Sequence, residues 1–236
     1  MNEDLIDNFL QHISLTNTGS ENTLLAYRQD IQQFLEFEDN IEKVDRECIT
    51  SYILYLREAF YLNNRSVCRK LSTLRSFFRW LMQNHYIMSS PFINFKNPKT
   101  NSKIPDFLFL DELEMFFDGI PTDKPVGVRN RVMFELMYAS GLRVSEATSL
   151  TLDNIDMESC LLRVTGKGNK ERLIPFYDNL QPRLSHYIST IRPQLTTGIS
   201  SPYLFINRYG EKLSSQGVNF ILKELDASTG LNRNLH

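Results

Sequence analysis

The chain has 236 residues, 42% of them hydrophobic, with a formal net charge of −2. That is enough apolar material for one large domain or two smaller ones, each with its own core. No run of about 18 apolar residues is present, and the opening MNEDLIDNFLQH is acidic where a secretory signal would be basic and then apolar. The expectation is a cytoplasmic protein with no membrane partner. Cys48, Cys68 and Cys160 lie far apart and form no CxxC pair, so neither a disulfide framework nor a zinc site is suggested.

Through the first 85 positions apolar residues recur at helical spacing, in segments near residues 3–15, 21–37, 46–60 and 64–84. Ser20, Asp45 and Asn63 are suitable N-caps for the second, third and fourth. No strand pattern interrupts them, and the spacing predicts a small helical bundle. Its charge is segregated. Residues 1–58 hold twelve acids against four bases, whereas no Asp or Glu occurs between Ala59 and Pro105, where Arg65, Arg69, Lys70, Arg75, Arg79, Lys96, Lys99 and Lys103 fall.

On the fourth segment, Val67, Leu71, Leu74, Phe77, Phe78 and Leu81 share one side of the helix, and Arg65, Arg69, Ser72, Ser76 and Arg79 share the other. A basic stripe of this kind is often no more than a solvated face. The lack of any nearby acid in the sequence favours phosphate contact instead, and the planar fork of arginine bonds two phosphate oxygens at once. Arg65, Arg69 and Arg79, with Arg75 of the same acid-free segment, are candidate contacts to the phosphates of a nucleic acid.

After Tyr86 the chain turns polar and basic, with Pro91, Pro98 and Pro105 spaced through it. Prolines remove helix hydrogen bonds and favour extended backbone. The expected organisation is a helical domain over residues 1–88, a linker over 89–106 and a second domain over 107–236. Helical periodicity returns in LDELEMFFDG and in GVRNRVMFELMYASG, whose Gly141 is a natural stop. Two short β-rich runs follow, at residues 161–165 and 172–175, separated by a Gly-Lys-Gly-Asn turn that signals a hairpin. Two further helical stretches fall near 178–191 and 216–228, with an apolar YLF at 203–205 between them. The second half reads as α+β, mostly helical, with a small antiparallel sheet.

Two places in this half carry charge where chemistry is conceivable. Arg143 follows Gly141-Leu142 and precedes a short segment whose Val144, Ala147 and Leu150 would face inward. A local pair with Glu146, three residues on, accounts for it in structural terms. Lys167 sits between Gly166 and Gly168 at the hairpin tip, with Lys170 and Arg172 close behind. It reads either as an ordinary turn lysine or as part of a basic, closely approaching loop suited to a nucleic-acid groove.

YASGLRVSEATSLTLDNID followed by LLRVTGKGNKERLIP closely resembles the tyrosine recombinases, of the Xer and phage-integrase type. The likeness covers nearly the whole chain. It implies an N-terminal four-helix, SAM-like core-binding domain, a linker, and a mostly helical α+β catalytic domain with a small antiparallel sheet, so the fold class is mainly α. The activity implied is site-specific DNA cleavage and rejoining through a 3′-phosphotyrosyl intermediate, without cofactor or metal. Carried over residue by residue, the resemblance makes Arg143 the first catalytic arginine on the scissile phosphate, Glu146 its supporting neighbour and Lys167 the general acid for the departing 5′ oxygen. Lys170 and Arg172 join the DNA-binding residues.

The family continues with a His-x-x-Arg-His box, then a His or Trp and the tyrosine nucleophile. His236 falls where that box should open, so the catalytic domain is expected to be C-terminally incomplete. Tyr187, Tyr203 and Tyr209 all precede the box and are read as packing or surface, leaving no nucleophile in these 236 residues. The expectation is a chain that binds double-stranded DNA but does not recombine it alone. It would be a monomer in solution and would join recombinase subunits, tetrameric in the family, on DNA. The alternatives are a naturally short, non-catalytic DNA-binding protein that occupies or regulates recombination sites, and a helical scaffold unrelated to DNA.

Overall fold

Ser20, Asp45 and Asn63 each stand in extended backbone and accept a hydrogen bond from an N–H three residues on, that of Thr23, Cys48 and Ser66. Each satisfies a donor that the first helical turn leaves open. The helices they begin are α2 (Glu21–Phe37), α3 (Arg46–Phe60) and α4 (Asn64–Gln83), preceded by α1 (Asn2–Leu15). The computed structural model describes residues 2–16, 20–100, 107–166, 170–196 and 200–229. It divides into two units, residues 1–103 and 104–236, each with its own hydrophobic core.

In the first unit the inward set read from the fourth helix is the core itself: Val67, Leu71, Leu74, Phe77, Phe78 and Leu81 are all 0% exposed. Phe77 meets Phe9 of α1 edge-on at 5.3 Å between ring centroids, and Phe34 of α2 meets Tyr52 of α3 at 4.9 Å. Such perpendicular contacts align ring edges with ring faces and add to the gain from burial. The proline-bearing stretch begins on this unit. Phe92 is buried beside Phe78, and the carbonyls of Phe95, Pro98 and Lys99 accept from Arg75, Cys68 and Asn64. Two phenylalanines in an otherwise polar run thus hold residues 92–99 to α4.

The second unit opens with α5 (Leu110–Asp118) and α6 (Pro125–Ser140), the latter starting on a proline that gives up no needed donor. At Gly141 the backbone turns left-handed, φ +58°, which a side chain would oppose, and α6 stops there. A short helix α7 (Val144–Ser149) follows. Strands β1 (Ile155–Asp156), β2 (Leu161–Thr165) and β3 (Glu171–Pro175) form an antiparallel sheet in the order β1-β2-β3. Register places Leu162 against Ile155 and Ile174, and Val164 against Arg172. The two-residue β1 is too short to show a period in the sequence.

Beyond the sheet, a nearly continuous helical run is built from α8 (Gln181–His186), a π-turn (Tyr187–Ile191) and α9 (Arg192–Leu195), and α10 (Ser215–Thr229) comes last. The YLF segment is held at the end of α7, where Leu204 donates to the carbonyl of Leu150 at 2.8 Å. The observed class is the one the periodicities predict, mainly helical with a small antiparallel sheet.

Phe77→Ala is expected to destabilise the first unit by about 3–5 kcal/mol, since it leaves a cavity at the meeting point of α1 and α4. Asp45→Ala removes one cap and is expected to cost about 1 kcal/mol. Urea unfolding followed by fluorescence of Trp80, the single tryptophan, measures both.

Candidate phosphate site and nucleic-acid interface

The site grows from the turn between α6 and α7. Leu142 is buried after Gly141, and Arg143 then lies in extended backbone at the start of α7, on the outside of the turn. Its backbone N–H donates to Oε2 of Glu146 at 2.9 Å, and its Nη1 donates to Oε1 at 3.0 Å. The local pair read from the sequence therefore exists. It does not consume the arginine, whose side chain is 74% exposed while that of Glu146 is 5% exposed. Most of the guanidinium donors of Arg143 are left for an oxyanion outside.

The same carboxylate takes a second arginine from the sheet. Side chains directly opposite in an antiparallel pair share a face. Arg172 of β3 pairs with the buried Val164, so the two share a face of the sheet, and 40% of the Arg172 side chain stays exposed. From there Arg172 donates to Glu146 in parallel, Nη1 to Oε1 at 3.0 Å and Nη2 to Oε2 at 3.1 Å. Burial alone would raise the carboxyl of Glu146. The bonds from Arg172 and from the backbone and side chain of Arg143 outweigh it and hold the group down at about 2.

Gly166 closes the base of the hairpin, donating to the carbonyl of Lys170 at 2.8 Å. A Cβ at Gly166 would lie 2.9 Å from Nη1 of Arg172 and 3.9 Å from Oε1 of Glu146, so the absence of a side chain lets the guanidinium pass. Lys170 is exposed beside it. Lys167 and His236 lie outside the described residues.

In the first unit the basic face of α4 is less uniform than its sequence suggests. Asp30 of α2, 1% exposed, accepts two bonds from Arg69, at 2.6 and 2.8 Å, one from Lys70 at 2.8 Å and one from Thr73 at 2.9 Å. Burial pushes its carboxyl up, and these donors together hold it below the usual range. Acid is missing from residues 59–105 but not from the space around them. Arg69 keeps an exposed edge, whereas Lys70 is turned inward. Arg75 donates to the Phe95 carbonyl and to Asn97 and covers the ring of Phe92. Arg65 and Arg79 are exposed and, among the described residues, make no such pair. Asp30 had one signal in the sequence, an acid at the helical spacing of Tyr27, Ile31 and Phe34.

Residues 106–236 match the model of the phage integrase family, and residues 6–85 match its N-terminal SAM-like domain. The chain is 34% identical over 236 residues to tyrosine recombinase XerD of Staphylococcus epidermidis, covering 98% of this chain and 80% of that protein. It is 35% identical over 223 residues to tyrosine recombinase XerC of Anoxybacillus flavithermus, covering 92% and 74%. The chain belongs to the tyrosine recombinases of the phage integrase family.

Solved structures share the fold of this tyrosine recombinase at low identity. A lambda integrase dimer bound to a COC′ core site superposes with a TM-score of 0.73 at 17% identity, over 98% of this chain and 79% of that one. The Tn1549 transposon integrase in complex with circular intermediate DNA gives 0.73 at 18%, over 96% and 78%. Of the recombinase's tyrosines named above, Tyr187 is buried, donates to the Leu204 carbonyl at 3.0 Å and has its hydroxyl pushed up by burial. Tyr209 is exposed beneath the guanidinium of Arg208. Among the described residues, no three His, Cys, Asp or Glu side chains come together as a metal site, and no helix is long and apolar enough to cross a membrane.

The Glu146 carboxyl titrates near 2 in the folded chain against an ordinary 4.5. Its pairs therefore add stability that is complete above pH 4.5 and is lost as pH falls from 4.5 towards 2, where the unfolded chain takes up the proton first. Glu146→Gln is expected to cost about 2 kcal/mol at neutral pH and distinctly less at pH 3, as read by urea unfolding at both. An equal loss at the two pH values would contradict this assignment.

Proposed function

We propose that this chain binds double-stranded DNA as part of site-specific recombination, with Arg143 holding the non-bridging oxygens of the scissile phosphate. Lys167 is the proposed proton donor to the departing 5′ oxygen, and His236 the opening residue of the His-x-x-Arg-His box. The observation that carries this reading is an arginine anchored through backbone and side chain to one buried carboxylate, yet with most of its guanidinium facing solvent. Preorganised donors of this kind stabilise charge that develops on a phosphate during transfer, because they need not reorient as it forms. The family's relatives support it further: solved lambda integrase and Tn1549 integrase structures are DNA complexes, one of them a tetramer on a Holliday junction.

Arg65 and Arg79 of α4 and Lys170 of the hairpin are the proposed backbone contacts, joined by the exposed edge of Arg69. Arg75 contributes less, since its donors already serve the stretch that follows α4. The proposed partners are duplex DNA and further recombinase subunits assembled on it, in the cytoplasm, with a monomer before DNA is met. A polypeptide of these 236 residues alone is proposed to bind without cutting. The covalent 3′-phosphotyrosyl link and the second arginine of the clamp belong, in the family, to positions after the one His236 occupies.

Duplex binding is expected to weaken steeply with salt, and the double variant Arg65→Ala/Arg79→Ala to lower the slope of log K against log salt by about two, one for each lost phosphate contact. Titrations from low to moderate salt read this directly. On a nicked suicide substrate, the 236-residue polypeptide is expected to shift the DNA without a denaturant-stable adduct. A covalent adduct, or a stable tetramer by light scattering without DNA, would contradict the corresponding part of the proposal.

A further inference from the structure

Arg172 lies in the basic hairpin, where its charge suggests one more phosphate contact, and its surroundings argue otherwise. It stands opposite the buried Val164, and although 40% of its side chain is exposed, its guanidinium is committed to one partner. Both of its terminal nitrogens are engaged by the two oxygens of Glu146, at 3.0 and 3.1 Å. Glu146 in turn bonds the backbone and the side chain of Arg143. The carboxylate is buried, so without Arg172 it would be held, among the described residues, by Arg143 and would compete with any phosphate for that guanidinium. With Arg172 in place, two of the four bonds to the carboxylate among the described residues come from β3, and Arg143 is left open on the outer side.

We infer that Arg172 is a positioning residue: through Glu146 it sets Arg143 for phosphate, and Gly166 leaves the space that the Arg172 guanidinium occupies beside it. The inference rests on the proposed phosphate role of Arg143. A methyl group at Gly166 would meet Nη1 of Arg172 at 2.9 Å, closer than real Cβ contacts, so the tip of the guanidinium has to shift against its bond to Glu146. The backbone itself offers no objection, since Gly166 is not among the residues with left-handed φ. Gly166→Ala therefore displaces Arg172 while leaving every charge in the chain intact. The base of the hairpin and the turn before α7 are coupled through one carboxylate, although Glu146 and Arg172 lie 26 positions apart.

A mutant cycle on the 236-residue chain, binding a labelled duplex of arbitrary sequence, tests this. Arg143→Gln is expected to weaken binding roughly tenfold at 0.1 M salt and to lower the salt slope by about one. Arg172→Gln and Gly166→Ala are each expected to shift affinity and slope in the same direction. Neither is expected to add further loss in the Arg143→Gln background, and Gly166→Ala is expected to be silent in the Arg172→Gln background. If Arg172 touched phosphate itself, the Arg143→Gln/Arg172→Gln pair would lower the slope by about two, which would overturn the inference. So would unchanged binding by Arg172→Gln and Gly166→Ala alongside weakened binding by Arg143→Gln. No effect of Arg143→Gln marks failure of the phosphate reading, and the inference falls with it. Should Arg172→Gln not fold, Gly166→Ala with and without Arg143→Gln decides the question alone.

Discussion

A buried carboxylate has to be answered by donors, and in the second unit the one on Glu146 is answered from two directions. Arg143 reaches it from the turn just before α7, and Arg172 reaches it from β3. Each arginine supplies two of the four bonds that reach this nearly buried charge among the described residues, and the charge is costly to leave half-answered. The α6–α7 turn, the sheet and the hairpin base therefore keep one mutual geometry. That geometry is what turns the guanidinium of Arg143 outward as a fixed, preorganised donor.

The first unit uses the same device on its own basic helix. Asp30 is pushed up by burial and held down by Arg69, Lys70 and Thr73. The result sorts the cations of α4. Lys70 becomes a structural counter-ion, Arg69 is fixed with one edge exposed, and Arg65 and Arg79 carry the charge that meets the solvent. A polyanion approaching this face would be met by arginines of which one is already oriented, which lowers the entropy lost on contact. In both units a buried carboxylate thus decides which cations of a basic segment stay open to solvent.

Much of this was legible in the linear order of residues. Helix starts at Ser20, Asp45 and Asn63, the stop at Gly141, the inward set of α4 and the two hairpin runs all follow from rules that act within a few residues. Three features were not. The strand β1 is too short to show a period, and the hold of Phe92 and Phe95 on the first unit was hidden in a stretch that otherwise reads as polar linker. The pair between Arg172 and Glu146 joins positions 26 apart, a separation that no local spacing rule reaches.

The sequence by itself determined the helical bundle, the small sheet, the segregated charge and the motif that marks the family, because each depends on local spacing or on residue order. Which arginines are available was decided only by tertiary structure. Net charge within a segment says how many cations are present, whereas availability depends on acids brought in from other elements: Asp30 from α2 and Glu146 from α7. Arg143 illustrates both levels. Its place after a glycine stop was readable in order, and only the fold shows that the carboxylate it bonds is shared with Arg172, far along the chain, while its own side chain stays exposed.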